Sequence, residues 1–264
     1  VLRVIPDQIK TIADLQLPEV INQIAQEPRG LILVTGITGS GKSTTLAAMV
    51  EEINRTRSHH IVTIEDPIEF VFTDRKSIIN QREVGSDTLN FSSALRAALR
   101  QDPDVIFVGE LRDKETVEVA LNAAETGHLV LSTLHTLDAA ESINRLVGFF
   151  EPHHQRQVRA QLASVLRATL SQRLIRTKAG SRVAAVEIMR NNGVITDCIT
   201  DPSRASEIPD LMARNSKVYG TQTFDQAVYD LLERGIIDKE QALRSVNNPD
   251  DLELRLQGIH SGHL

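Results

Sequence analysis

The sequence predicts an α/β fold, with a mostly parallel β-sheet flanked by helices and a helical subdomain after it. Three observations predict this. Short runs of Val, Ile and Leu alternate with helical stretches, which is the order of strand–helix–strand units in a parallel sheet. The first apolar run leads directly into a glycine-rich loop and then a helix. After about residue 191 the pattern is helical to the end. A chain of 264 residues can hold one large domain and a small appendage. The expected division is a linker at 1–16, a core at 17–190 and a C-terminal helical subdomain at 191–264.

The elements follow in order. Residues 2–5, Leu-Arg-Val-Ile, are a short, largely apolar stretch that stops at Pro6. Val20, Ile21, Ile24 and Ala25 recur at helical spacing within 17–26, and Pro28 with Gly30 ends that run. Residues 31–34, Leu-Ile-Leu-Val, are too few for a buried helix and fit a strand covered on both faces. A helix over 43–54 follows the glycine-rich loop. Strands at 61–64, 105–108 and 129–132 then alternate with helices at 92–101, 114–126 and 139–147. A long helix is expected from about 152 to 176. Val158, Leu162, Val165, Leu166, Leu170 and Leu174 form its apolar stripe, with Arg156, Arg159, Arg167 and Arg173 off it. A last strand over 183–188 follows the turn Ala179-Gly180-Ser181. Helices at 223–233, 238–246 and 249–256 complete the chain, and 258–264 is expected to fray.

Composition narrows the function classes. The formal charge of −6 argues against a dedicated nucleic-acid binder, so no nucleic-acid partner is expected. No apolar run approaches the roughly 20 residues needed to span a bilayer. Cys198 is the single cysteine, which makes neither an internal disulfide nor a zinc site and fits a reducing, cytoplasmic compartment.

Residues 36–43 read Gly-Ile-Thr-Gly-Ser-Gly-Lys-Ser, a full match to G-x-x-x-x-G-K-[ST] between a strand and a helix. Gly36, Gly39 and Gly41 allow the backbone of Thr38, Ser40 and their neighbours to curl, so that successive N–H groups face phosphate oxygens. The following helix points its positive end at the same place. In such a P-loop, Lys42 reaches the β- and γ-phosphates of ATP, Ser43 ligates Mg²⁺, and Thr44 is a candidate for the α-phosphate.

Ligands of open parallel sheets bind beyond the carboxyl ends of the strands. At those ends stand Glu65 and Asp66, then Glu110, then His135. Glu110 occupies the position of the acidic residue that serves Mg²⁺, either holding the ion or polarising the attacking water. Glu65 is the second candidate for orienting that water. The sequence leaves the division between them open. An imidazole at His135 could donate to the γ-phosphate. His128 begins a strand, at the wrong end of the sheet, and His59, His60, His153 and His154 are expected in solvated loops.

The linear order of these segments resembles a known family. Residues 35–49 are similar to the Walker A region of type IV pilus and type II secretion ATPases. Residues 60–70, His-Ile-Val-Thr-Ile-Glu-Asp-Pro-Ile-Glu-Phe, resemble their Asp box. Residues 80–85 and 99–113 resemble the approach to a Walker B that uses Glu, and 124–136 resembles their His box. On this resemblance the chain is identified as a member of the PilT/PilU family of pilus retraction ATPases. The resemblance implies a P-loop NTPase with a RecA-like sheet, acting as a homo-oligomeric, hexameric ring motor. It implies a place in the cytoplasm, peripheral at the inner-membrane pilus base, with an inner-membrane platform protein as partner. It also implies an upstream PAS-like domain lying mostly before Val1, with 1–16 as its remnant. Family arginines near the nucleotide suggest Arg82, Arg96 and Arg112.

The single cysteine sets the chain apart from extension and secretion branches, which carry a tetracysteine loop. Residues 220–231 look like the retraction branch. Residues 193–201 depart from it, since the basic residues typical of that helix are replaced by Gly-Val-Ile-Thr-Asp-Cys-Ile-Thr-Asp. An accessory PilU-like paralogue working with another pilus ATPase therefore stays open. So does a related secretion, conjugation or nucleic-acid translocase ATPase.

Overall fold

A computed structural model describes residues 8–258. Residues 1–7 of the expected linker, with the stretch at 2–5, and the tail at 259–264 lie outside the described residues. The first half comprises α1 (Val20–Ala25), β1 (Gly30–Thr35), α2 (Lys42–Thr56), β2 (His60–Glu65), β3 (Ile78–Glu83), α3 (Phe91–Ala98), β4 (Val105–Val108), α4 (Lys114–Glu125), β5 (Leu129–Leu134) and α5 (Ala139–Gly148). Next come α6 (Pro152–Val165), β6 (Leu166–Arg176), β7 (Arg182–Arg190), α7 (Gly193–Thr200) and a 3-10 turn (Pro202–Glu207). The chain then closes with α8 (Ile208–Arg214), α9 (Ser216–Tyr219), α10 (Phe224–Glu233), α11 (Lys239–Ser245) and α12 (Pro249–Leu256).

One seven-stranded sheet runs β3-β2-β4-β5-β1-β6-β7. Every neighbouring pair is parallel except β6 and β7, which form an antiparallel hairpin. Alternate residues of each strand enter opposite cores. Leu31 and Leu33 face the layer that holds α3 to α7, while Ile32 and Val34 face α1 and α2. All four are fully buried. Burial of each such side chain is worth roughly 1.5–3 kcal/mol, so β1 is a rigid platform for the loop that leaves it. A third, smaller core joins Ile175, Val183 and Ala185 of the hairpin to α10, α11 and α12.

Two expectations fail. The helix expected over 152–176 ends at Val165, and the rest is strand β6. Pro152 starts α6 at a position where its missing N–H costs nothing. No Gly or Pro then marks the change, because the chain passes from helix to strand at Leu166 itself. Leu, Arg and Gln favour helix, but pairing with both β1 and β7 satisfies the backbone groups of this segment and outweighs propensity. The second miss is β3, which lies at the sheet edge and carries Asn80, Gln81, Arg82 and Glu83 in place of an apolar run.

Candidate active site

The sheet order brings four strand ends into line. Reading from β2 through β4 and β5 to β1, those ends carry Glu65, Glu110, His135 and the phosphate loop. A single cleft of about 650 Å³ joins them, lined by Thr38, Gly39, Gly41, Lys42, Ser43, Thr44, Glu65, Glu110, Arg112 and His135. Gly36 and Ser40 lie beneath the cleft surface. A Cβ on Gly36 would stand 2.5 Å from the Gln172 carbonyl and 2.6 Å from Ser40 Oγ, so only glycine allows the loop to turn so close to β6. Gly39 and Gly41 hold φ of 80° and 93°, where side chains are strained.

Helices α3, α4 and α5 are capped by the side chains of Asn90, Asp113 and Asp138. Helix α2 begins after Gly41 with no side-chain cap, which leaves its first amides for an anion. Lys42 is buried, and its ammonium donates to the carbonyls of Gly36 at 2.9 Å and Ile37 at 3.1 Å. Burial pushes it below the usual lysine range, against the pull of Glu110 and Glu69.

The two carboxylates differ in surroundings. Glu65 is 5% exposed and accepts from the Thr63 hydroxyl at 2.7 Å and the Gln81 amide at 3.2 Å. Burial raises its proton affinity above the usual carboxylate range, more than these two bonds lower it. Glu110 is held between charges or potential charges, with Arg112 Nε at 2.7 Å and His135 Nε2 at 3.3 Å. Arg112 also reaches Asp66 at 3.8 Å. Gly109 sets this geometry, since its N–H bonds the Ile64 carbonyl and a Cβ there would press that same oxygen at 3.2 Å.

Of the three candidate arginines, Arg112 alone faces this cleft. Arg82 donates to Gln101 on the edge-strand side, and Arg96 pairs with Glu115 of α4 at 2.7 Å. His128 bonds the Ala123 carbonyl at the start of β5. His59 and His60 are bonded rather than solvated, the first to Asp104 and the second to the Gln101 carbonyl and Asn80.

Several cleft residues escaped the sequence reading. Gln81 orients Glu65 from the missed strand β3. Leu174 and Arg182 line the cleft from the β6–β7 hairpin, and Phe70, Phe72, Phe91 and Phe107 supply its apolar wall. The signal for the hairpin was the Ala179-Gly180-Ser181 turn, which asks for a strand before it as well as after it.

Nucleotide fits this arrangement. Uncapped helix amides and a buried ammonium suit phosphates. The hydroxyl of Ser43 and the carboxylate of Glu110 are hard oxygen donors of the kind Mg²⁺ takes. Among the described residues no group of three His, Cys, Asp or Glu side chains is arranged for a metal. An ion held by one or two protein oxygens plus substrate phosphates needs none.

Comparison with known proteins gives concordant results. The family model described as Type II/IV secretion system protein matches residues 3–244. The type IV pilus retraction ATPase PilT of Pseudomonas aeruginosa is 48% identical over 251 residues, spanning 95% of this chain and 72% of that protein. The type IV pilus ATPase PilU of the same organism is 42% identical over 258 residues, spanning 97% of this chain and 67% of that protein. A crystal structure of the pilus retraction motor PilT with bound ADP aligns with a TM-score of 0.86 at 49% identity, covering 95% of this chain and 71% of that one.

Proposed function

The chain belongs to the Type II/IV secretion system protein family, and from that premise we propose that it is an ATPase whose hydrolysis drives type IV pilus retraction. The observation that carries this reading is the meeting of Glu65, Glu110 and His135 with the Lys42 loop in one cleft. Likeness to PilT and PilU over nearly the whole chain supports the pilus as the load.

Phosphoryl transfer to water calls for positioning and charge neutralisation more than covalent chemistry. The amides of 38–44 bind the phosphates, and Lys42 exchanges its two loop carbonyls for β- and γ-oxygens. Glu65 orients the attacking water and takes its proton, a task matched to a carboxylate of raised proton affinity. Ser43 with Glu110 would hold Mg²⁺, which would supply positive charge to offset the negative charge of the phosphates. Glu110 also fixes Arg112 and the His135 ring, which then faces the γ-phosphate. Arg96, exposed and paired with Glu115, and half-buried Arg82, bonded to Gln101, would have to exchange these partners to serve the site of a neighbouring subunit of a ring.

The assembly we infer is a homo-hexamer at the cytoplasmic face of the inner membrane, bound to the pilus platform protein. No helix among the described residues is long and apolar enough to cross a membrane. Within the chain, 17–190 serves as the motor core and 191–264 as a helical appendage. One observation favours a second reading, an accessory motor that works through a paralogous pilus ATPase. Helix α7 carries Asp197 and no basic residue.

Deletion of the gene with scoring of pilus retraction tests both. Retraction stops if this is the principal motor. It weakens but persists, through the paralogue, if the chain is accessory. Unchanged retraction sinks the pilus assignment.

A further inference from the structure

Four residues stand abreast in the sheet: Leu134 on β5, Thr35 on β1, Ser171 on β6 and Glu187 on β7. One end of this row touches the candidate site, because Leu134 precedes His135 and Thr35 precedes Gly36. The other end is Glu187, 5% exposed on the strand farthest from the carboxylates. Its Oε1 accepts from the Ala139 amide at 2.9 Å and from Ser171 Oγ at 3.3 Å.

Ala139 is the first residue of α5 and lies four positions after His135. The intervening turn is tied mainly to its own helix. Leu137 N–H donates to Glu141, Thr136 Oγ1 meets Ser142 Oγ at 2.6 Å, and Asp138 accepts from the Glu141 amide. Glu187 instead ties that turn to the sheet. Glu187 Oε1 accepts the first N–H of α5 whether its carboxyl is charged or neutral, so the tie fixes where the helix begins by geometry.

The same stretch of β7 grips the C-terminal helices. Ile188 and Gln222 exchange backbone hydrogen bonds of 2.7 and 2.9 Å, and the Gln222 amide donates to the Val186 carbonyl. A cavity of about 360 Å³ separates the start of α5 from α8, α10 and α12, with Glu187 in its wall. The charged groups that act on Glu187 are Asp138 from α5 and Arg173 from β6, and Asp210, Asp225 and Asp251 line the same cavity.

We propose that Glu187 is a positioning residue for His135. It pins the start of α5 to β7, sets where the imidazole stands relative to Glu110, and carries displacements of the C-terminal helices to the ring. The inference rests on the reading of His135 as a group that faces nucleotide.

The test is ATP turnover and ATP affinity of the full chain as wild type, Glu187→Ala, Glu187→Gln, His135→Ala and the Glu187→Ala/His135→Ala double variant. Glu187→Ala should lower kcat about tenfold and leave the Kd for ATP within about twofold. Glu187→Gln, which keeps an acceptor for Ala139, should restore most of the rate. In the His135→Ala background, Glu187→Ala should change kcat by less than about twofold, the mark of two residues acting as one unit. If the alanine variant does not fold, Glu187→Asp in the same two backgrounds gives the same comparison, because its shorter arm moves the tie. Equal losses in both backgrounds, or no loss in either, overturn the proposal. A wild-type chain that binds no ATP overturns the reading of the cleft and this inference with it. Wild-type turnover with additive variants overturns this inference alone.

Discussion

The ends of β2 and β4 are neighbours in the sheet, yet they present carboxylates in opposite conditions. Glu65, on β2, is buried among neutral partners, Thr63 and Gln81, and holds its proton more tightly than a free carboxyl. Glu110, just past β4, sits between Arg112 and His135, where a negative charge is well matched. The difference teaches how two like residues take two tasks. The buried end, which holds its proton, suits proton transfer, and the end that touches Arg112 and His135 suits holding other groups of the site in place.

The largest expected effect removes what both ends serve. Lys42→Ala should weaken ATP binding at least about a hundredfold in equilibrium titration, since it deletes the buried ammonium beneath the phosphates. Next, Glu65→Gln should lower kcat by about 10² to 10⁴, the usual contribution of a general base, with affinity for ATP and for Mg²⁺ unchanged. The wild-type rate should also fall on acidification through the raised Glu65 pKa, and this limb should flatten in the variant. Glu110→Gln should act differently. It keeps ATP binding, lowers kcat by about tenfold to a hundredfold, and shifts the Mg²⁺ midpoint upward, because its loss falls on the ion and on the Arg112 and His135 pairings.

Stability sharpens the contrast further. A folded pKa above the unfolded value means stability is full at low pH and is lost as pH rises through the folded pKa. Glu65→Gln should therefore melt higher than wild type at neutral pH. The same sign applies to Glu187, whose carboxyl is pushed up to about 7 by burial and by Asp138, against the Ala139 and Ser171 bonds and Arg173. Between pH 4.5, the ordinary value for Glu, and neutrality, wild type should lose about 3 kcal/mol through this group. Denaturant titrations of Glu187→Gln should lack that slope. If the slope persists, the burial account of Glu187 is wrong.

Both carboxylates were legible in the sequence because each follows a run such as Ile-Val-Thr-Ile or Val-Ile-Phe-Val, and such a run fits a strand covered on both faces. The phosphate loop was legible because its glycines, lysine and serine have fixed spacing. What set the two carboxylates apart was not legible. Gln81 comes from β3, an edge strand whose polar residues hide its period. The cleft wall at Leu174 and Arg182 comes from β6 and β7, and β6 reads as a continuation of α6 because no breaker separates them. Edge exposure and tertiary pairing decide these segments, and local composition carries neither. Glu187 was invisible for the same reason, since its row across the sheet exists only once β6 is a strand.

The most direct test of the division between the two strand ends is a Mg²⁺ titration of ATP turnover in Glu65→Gln and Glu110→Gln side by side. The account predicts a lowered plateau with an unmoved midpoint for Glu65→Gln, and a raised midpoint for Glu110→Gln. Wild-type curves for both variants, or the two behaviours exchanged, would contradict it.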